Sequence, residues 1–412
     1  MTYGLIGEKL GHSFSKEIHE QLTDYTYELK EIAAQDLQCF IKECGFEAIN
    51  VTVPYKQAVM PYLDEISPRA QAIGAVNTVV NRDGKLYGYN TDILGMAALL
   101  DYHGINIENK KVLILGSGGT AHTAYALAKE RNAAQVLMVS RGGKNGITYE
   151  EAYQEHTDAQ IIINTTPCGM YPNIDASPLD LSSFNALEGV VDAIYNPLRT
   201  ELILQAQSKG IKAVGGLYML VAQAVYAIEF FLDRTIELSK IDEVYGKIVA
   251  QKENIILIGM PSCGKSTIGK RLAKQLNRPF YDTDDLIQKK YGKTPAEIIE
   301  SEGEKVFRDC ESKVITEEIA KLNGAVIATG GGAILRDENV FCLKKNGKLF
   351  FIDRPLGLLI TSNDRPLSSD RALLEMLYRE RYSRYCSVAD AIITPAIDLD
   401  IICKEIIKEL NL

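Results

Sequence analysis

Residues 111–121 read KVLILGSGGTA and residues 254–267 read NIILIGMPSCGKST. Each begins with a short apolar run, passes through glycines, and continues into an amphipathic stretch. Strand, glycine loop and helix in that order bring free backbone N–H groups to a helix N-terminus, where phosphate is attracted. The second stretch fits G-x-x-x-x-G-K-[ST]. Gly259, Pro261, Ser262, Cys263, Gly264 and Thr267 would then wrap the phosphates of ATP or GTP. Lys265 would reach the β and γ oxygens, and Ser266 would hold Mg²⁺. In the first stretch Gly116, Ser117, Gly118, Gly119 and Thr120 suit the pyrophosphate of a dinucleotide. NAD-binding versions place an acidic residue about twenty positions further on. Here the next apolar run, VLMVS, ends in Ser140-Arg141. A guanidinium suits a 2′-phosphate, which favours NADP(H) over NAD.

Outward from these loops, short apolar runs alternate with helical patterns. Strands are predicted at 2–6, 48–53, 111–115, 134–139, 160–164, 190–194 and 212–214. After a polar break they resume at 254–258, 280–282, 325–329, 348–352 and 391–394. This alternation predicts an α/β protein with mostly parallel sheets and helices on both faces. The main boundary is expected near 245–253, where GKIVAQKE reads as a linker over 246–253. A softer division is expected near 93–109. No internal repeat or low-complexity tract is present.

The chain has 412 residues, enough for about two to three domains. Its net charge of −9 argues against nucleic-acid and anionic-membrane partners. The eight cysteines form no C-x-x-C pair and the five histidines no metal motif, as expected of reduced thiols in a cytoplasmic protein. No signal peptide is read at the N-terminus. The apolar stretch 217–228 is too short to span a bilayer and reads as a buried helix.

Upstream of residue 111 lie the phrases GHSFSKEIH (11–19), INVTVPYK (49–56), GAVNT (74–78) and GYNTD (88–92). Downstream lie INTTPCGM (163–170), DAIYNPLRTEL (192–202) and GGLYMLVAQA (215–224). Taken singly, each serine could cap a helix, each asparagine could sit in a turn, and Lys56 and Asp92 could be surface charges. In this order, over residues 2 to about 235, they resemble the shikimate dehydrogenase family. The resemblance implies a substrate part (1–95), a Rossmann-like NADP part (96–215) and helices returning to the substrate part (216–245). It implies Lys56 and Asp92 as the catalytic pair. Ser13, Ser15, Thr52, Asn77, Tyr195 and Gln223 would hold the substrate. Gly116, Gly118, Gly119, Ser140 and Arg141 would hold NADP, with Gly216 near the nicotinamide. Three positions depart from the common pattern: Tyr55 where His often stands, Ser140-Arg141-Gly142 for Asn-Arg-Thr, and Tyr218 for Gly.

Beyond the second glycine loop come Asp282-Thr283-Asp284, EGEKVFRDCE (302–311), Thr329-Gly330-Gly331-Gly332, Asp364-Arg365-Pro366-Leu367 and LYRERYSRY (377–385). Of two neighbouring carboxylates, one can orient hydrated Mg²⁺ and the other can take an alcohol's proton. From about 254 to 395 the order resembles shikimate kinase, a P-loop family. The resemblance implies a parallel-sheet kinase domain over 254–412. Asp284 would bind the acceptor hydroxyl and Asp282 would lie on the Mg²⁺ side. Arg308 and Arg381 would clamp the substrate carboxylate with the backbone of Gly331 and Gly332. Arg365 would be a lid arginine over the transferred phosphoryl group. No arginine matching the family's adenine neighbour is evident between 353 and 365.

Together the resemblances imply a bifunctional enzyme that makes shikimate from 3-dehydroshikimate with NADPH, then phosphorylates it with ATP. Its expected ligands are these small molecules and Mg²⁺, and a homo-oligomer is left open. The rival readings are a quinate-type dehydrogenase joined to another polyol kinase, and a shikimate-sensing protein without catalysis.

Overall fold

Three sheets organise the described residues, which are 1–11, 13–143, 146–359, 370–394 and 399–410 of this computed structural model. The chain divides into two units, Met1–Tyr245 and Gly246–Leu412.

The first sheet of unit one contains β1 (Tyr3–Gly7), β2 (Tyr27–Glu31), β3 (Ala48–Val51), β4 (Glu65–Ile66), β5 (Thr78–Arg82) and β6 (Lys85–Tyr89). Their order is β2-β1-β3-β5-β6-β4. β1 is parallel to β2 and β3, whereas β5 is antiparallel to β3 and β6. The expected mostly parallel pairing holds except at these two antiparallel pairs, and the sheet adds four unpredicted strands: β2, β4, β5 and β6. The cause of the reversal is local. Asp83 and Gly84 have φ of 53° and 84°, the left-handed backbone of a two-residue hairpin turn, so β6 folds straight back on β5. β2 escaped notice because only Tyr27 of YELKE is buried, leaving no alternation to read.

The second sheet holds β7 (Lys111–Leu115), β8 (Gln135–Val139), β9 (Ile161–Asn164), β10 (Gly189–Asp192) and β11 (Lys212–Val214). Its order is β11-β10-β9-β7-β8, parallel throughout. Val112 to Leu115 are fully buried, as both-face burial of a parallel strand requires. The chain leaves β7 for β8 on one side and returns to β9 on the other. The loop after β7 therefore opens at the switch point, where α/β sheets bind ligands.

Helix Asp92–His103 joins the two sheets, and helix Leu217–Leu232 packs along it. Their approach is close: a Cβ on Gly95 would lie 2.6 Å from the Met219 carbonyl oxygen. The second helix contains the apolar stretch read as a core segment, and most of it is buried. No described helix is long and apolar enough to cross a membrane.

The second unit contains β12 (Asn254–Ile258), β13 (Phe280–Asp282), β14 (Val326–Ala328), β15 (Gly347–Ile352) and β16 (Ala391–Ile393). The order β13-β14-β12-β15-β16 is again wholly parallel, with β12 central. The linker read over 246–253 needs correction: Ser239–Lys252 is one helix. Ile241, Val244 and Ile248 keep helical spacing and are buried, and a single Gly246 does not break the pattern.

One buried base stands out in the first unit. His19, on helix Ser15–Leu22, is fully buried and stacks on Tyr27 with centroids 3.9 Å apart. Nδ1 lies 2.7 Å from the Tyr25 hydroxyl, while Nε2 has no partner among the described residues. Burial lowers its pKa from 6.5 to about 3. The unfolded chain therefore takes up a proton below pH 6.5 that the folded chain refuses. Stability falls with pH through that window, by roughly 1.4 kcal/mol per unit. His19→Phe is expected to shrink the loss in urea midpoint between pH 7 and pH 5. An unchanged loss removes His19 as a source of acid sensitivity.

Candidate active sites

In unit one, the end of β3 carries Thr52 and then the helical turn Tyr55–Ala58. The Thr52 amide donates to the Ile6 carbonyl at 2.9 Å, at the C-terminal ends of β1 and β3. Tyr55 is buried and its hydroxyl donates to the Ile32 carbonyl, anchoring the turn from below. The Val76 amide donates to the Lys56 carbonyl at 2.8 Å. So held, Lys56 Nζ meets Asp92 Oδ2 at 2.7 Å. Only 14% and 8% of the two side chains is exposed, so solvent screens the pair weakly.

Asn77 sits beside this pair at the centre of a buried network. Its Oδ1 accepts from the Thr91 amide at 2.7 Å and from Thr78 Oγ1 at 3.0 Å. Its Nδ2 donates to Thr91 Oγ1 at 3.0 Å and Gln223 Oε1 at 3.4 Å. The Asn77 and Gln223 amides thus meet directly, next to the start of the helix that begins at Asp92. Ser13, Ser15 and Tyr195 make a second group. Ser13 Oγ donates to Ser15 Oγ at 3.0 Å, and Tyr195 hydrogen-bonds Ser13 and packs on Phe14 at 5.2 Å. Burial raises the Tyr195 phenol pKa against the opposing effect of Ser13.

The loop carrying Tyr195 is fastened by Asp192, which the sequence reading passed over. This fully buried carboxylate accepts from Asn164 Nδ2 and the Ile194 amide, both at 3.0 Å, and from Thr200 Oγ1 at 2.6 Å. Burial raises its pKa to about 7 despite those three donors. Gly216 lies under the same loop: a Cβ there would be 2.2 Å from the Ala193 carbonyl oxygen.

The dinucleotide loop follows β7. Gly116 has φ 119°, and a Cβ on it would meet Thr165 Oγ1 at 2.6 Å. Ser117 and Gly118 are exposed, and the space beside Gly118 is open. Helix Gly119–Glu130 has no side-chain cap, so its first N–H groups stay available to an anion. Thr120 is in that first turn. A Cβ on Gly119 would lie 3.6 Å from Lys56 Cβ and Cδ, so the loop passes beside the lysine. At the end of β8, Arg141 is exposed, and Ser140 Oγ is buried with no partner among the described residues. Tyr218 stacks on Tyr102 at 4.1 Å and donates to Asp242 Oδ1 at 2.7 Å.

In unit two, Gly259, Ser262 and Gly264 adopt φ of 145°, 65° and 102°, which curl the loop after β12 into a cradle. Lys265 is buried, and its Nζ donates to the Gly259 and Met260 carbonyls at 2.8 and 2.9 Å, with Cys263 Sγ 3.7 Å away. Thr267 is exposed. Ser266 Oγ donates to Asp282 Oδ2 at 2.6 Å, and Asp282 Oδ1 caps the next helix through the Asp284 amide at 3.1 Å.

The residues expected to hold the acceptor lie near this cradle: Gly331 borders its Pro261. A Cβ on Gly330 would lie 3.3 Å from Asp284 Oδ1 and 2.4 Å from Glu311 Oε1. One on Gly331 would lie 2.9 Å from Pro261 Cδ, and one on Gly332 only 2.3 Å from the Arg308 guanidinium. Tyr385 donates to the Gly331 carbonyl and hydrogen-bonds the buried Arg381. Glu311 was missed from sequence although it lies one helical turn after Arg308. It is fully buried and accepts from Arg308 NH1 at 2.7 Å. Burial raises the Glu311 pKa, opposed by Arg308 and Arg381. Arg365 lies outside the described residues. All eight cysteines are free, and no described cluster of three His, Cys, Asp or Glu could hold a metal.

Comparison with known proteins agrees with this division. The family model for the shikimate dehydrogenase substrate binding domain matches residues 5–79, and that for shikimate kinase matches 261–411. A shikimate dehydrogenase (NADP(+)) of Clostridium perfringens is 38% identical over 265 residues, covering 60% of this chain and 97% of that protein. The structure of shikimate dehydrogenase 1 from Peptoclostridium difficile shares 38% identity and covers 60% of this chain and 98% of its own, with TM-score 0.57. Shikimate 5-dehydrogenase from Thermus thermophilus, solved with NADP(H) and shikimate, shares 30% identity over 60% of this chain and 99% of its own, with TM-score 0.54.

The contact between Gly332 and Arg308 can be tested. Gly332→Ala must push the guanidinium aside, and the ATP-dependent activity of unit two is expected to fall about tenfold or more, equivalent to about 1.4 kcal/mol. ADP release measures it. Activity within twofold of wild type would show that Arg308 can shift without cost.

Proposed function

Because this chain belongs to the shikimate dehydrogenase family in its first unit and carries a shikimate kinase domain in its second, we propose that it performs two consecutive reactions. The first is NADPH-dependent reduction of 3-dehydroshikimate to shikimate. The second is ATP-dependent phosphorylation of the hydroxyl just formed, giving shikimate 3-phosphate. One observation carries the reading: Lys56, paired with Asp92 at 2.7 Å, lies beside the glycine loop suited to a dinucleotide.

NADPH supplies the hydride for the first step. As negative charge grows on the ketone oxygen, the Lys56 ammonium can donate a proton to it, and Asp92 keeps the amine aimed. Asn77, Gln223, Thr52, Ser13, Ser15 and Tyr195 offer hydroxyls and amides to the ring hydroxyls and carboxylate. The uncapped helix start at Gly119 suits the pyrophosphate, while Arg141 and Ser140 Oγ suit a 2′-phosphate.

In the second unit, the cradle Gly259–Thr267 would hold the ATP phosphates, with Lys265 released from its own loop carbonyls toward them. Magnesium fits Ser266 and Asp282, two hard oxygen donors side by side, and would neutralise charge on the transferring phosphoryl group. Asp284 would accept the acceptor's proton. Arg308 and Arg381, with the backbone of Gly331 and Gly332, would clamp its carboxylate. Consuming shikimate with ATP would draw the reduction forward. The sensing alternative is disfavoured by the ion pair and phosphate cradle together.

Lys56→Ala is expected to abolish NADPH oxidation with 3-dehydroshikimate while leaving shikimate phosphorylation within about twofold. Loss of both activities in folded protein would defeat independent sites. Arg141→Ala should raise KM for NADPH at least about tenfold and barely change that for NADH. Equal effects on the two cofactors would make Arg141 a bystander.

A further inference from the structure

Arg308 is occupied on more than one edge. NH1 donates to Glu311, while Nε and NH2 both donate to Glu304 Oε1, at 3.3 and 3.1 Å. The Nε–NH2 edge is one that engages carboxylates in a two-pronged contact. Here a single oxygen serves both prongs, at longer range than the 2.7 Å bond to Glu311.

The two carboxylates differ in environment. The Glu311 side chain is fully buried, whereas 44% of the Glu304 side chain is exposed. Glu304 also lines a cavity of about 340 Å³ together with Arg381, Leu335, Met376 and Glu380. At the clamp Arg308 and Arg381 face Glu304 and Glu311, with Glu380 on the same cavity wall and Asp284 beside Gly330. An arriving carboxylate would add a further negative charge beside these buried groups, which is costly. Moving Glu304 into water offsets that added charge cheaply, because its carboxylate already borders solvent. Glu311 has no such exit.

We propose that Glu304 is a resident counter-ion: it occupies the carboxylate-binding edge of Arg308 in the free enzyme and is displaced by the carboxylate of the substrate. The exchange keeps Arg308 oriented before substrate arrives. It also selects for acids, since a neutral analogue cannot replace the charge of Glu304. Its cost is weaker substrate binding. This proposal rests on the assignment of Arg308 to the substrate clamp.

The test uses the full chain, with Glu304→Gln, Glu304→Ala and Arg308→Lys, assayed for ATP-dependent phosphorylation of shikimate. An unchanged thermal unfolding midpoint of unit two, followed by circular dichroism, reports correct folding of each variant. Both Glu304 variants are expected to lower KM for shikimate about three- to tenfold, with KM for ATP within about twofold. Arg308→Lys is expected to raise KM for shikimate. If Arg308→Lys raises KM but neither Glu304 variant lowers it, the counter-ion role is overturned and the clamp survives. If Arg308→Lys leaves KM unchanged, clamp and counter-ion fall together.

Discussion

Phosphate must be met by N–H donors that nothing else has claimed, and this chain exposes such donors wherever a central parallel strand turns through glycine into a helix. β12 is the middle strand of its parallel sheet and β7 lies one in from the edge of its own, each with neighbours on both sides. The loop that follows each strand therefore opens at the sheet's edge of chain crossing rather than under a covering helix. The central strands are buried throughout, which holds the loops still. A less buried strand would leave both glycine loops on a yielding base.

Glycine then decides how near charged side chains may come to those loops. Gly332 lets the Arg308 guanidinium lie where a Cβ would otherwise be, whereas a Cβ on Gly119 would meet Lys56 only at an ordinary 3.6 Å. At Gly332 the hydrogen of glycine, not its freedom of φ, is what matters. The resulting contact brings a fixed cation to the part of the site where anionic charge must be met.

Three buried charges among the described residues are held by partners. Lys56 has Asp92, and Arg308 has the wholly buried Glu311. Asp192 is held by three donors and carries the loop that presents Tyr195. Losing one member of such a group strands its partner, a larger penalty than the pair contributes when intact. The machinery is thereby tied to the stability of the sheets around it.

The strand–loop–helix geometry of both glycine loops was legible in the order of residues. Gly259 to Thr267 with the preceding apolar run, and Gly116 to Thr120 with theirs, are contiguous, so strand, loop and helix follow from local pattern alone. The hairpin β5–β6 was also written locally, in Asp83-Gly84, but went unread. The helix through residue 252 was obscured by its polar residues and one glycine. Lys56 and Asp92 stand 36 positions apart, and only the packing of the helix that begins at Asp92 brings them to hydrogen-bonding distance. Glu311 was visible as a neighbour of Arg308 on a helix, but its complete burial was not. Sequence by itself determined the phosphate cradles, because each is made of adjacent backbone groups. Tertiary structure decided which charges pair and how strongly, because Coulomb attraction depends on separation and on excluded water, and both are set by packing between distant elements.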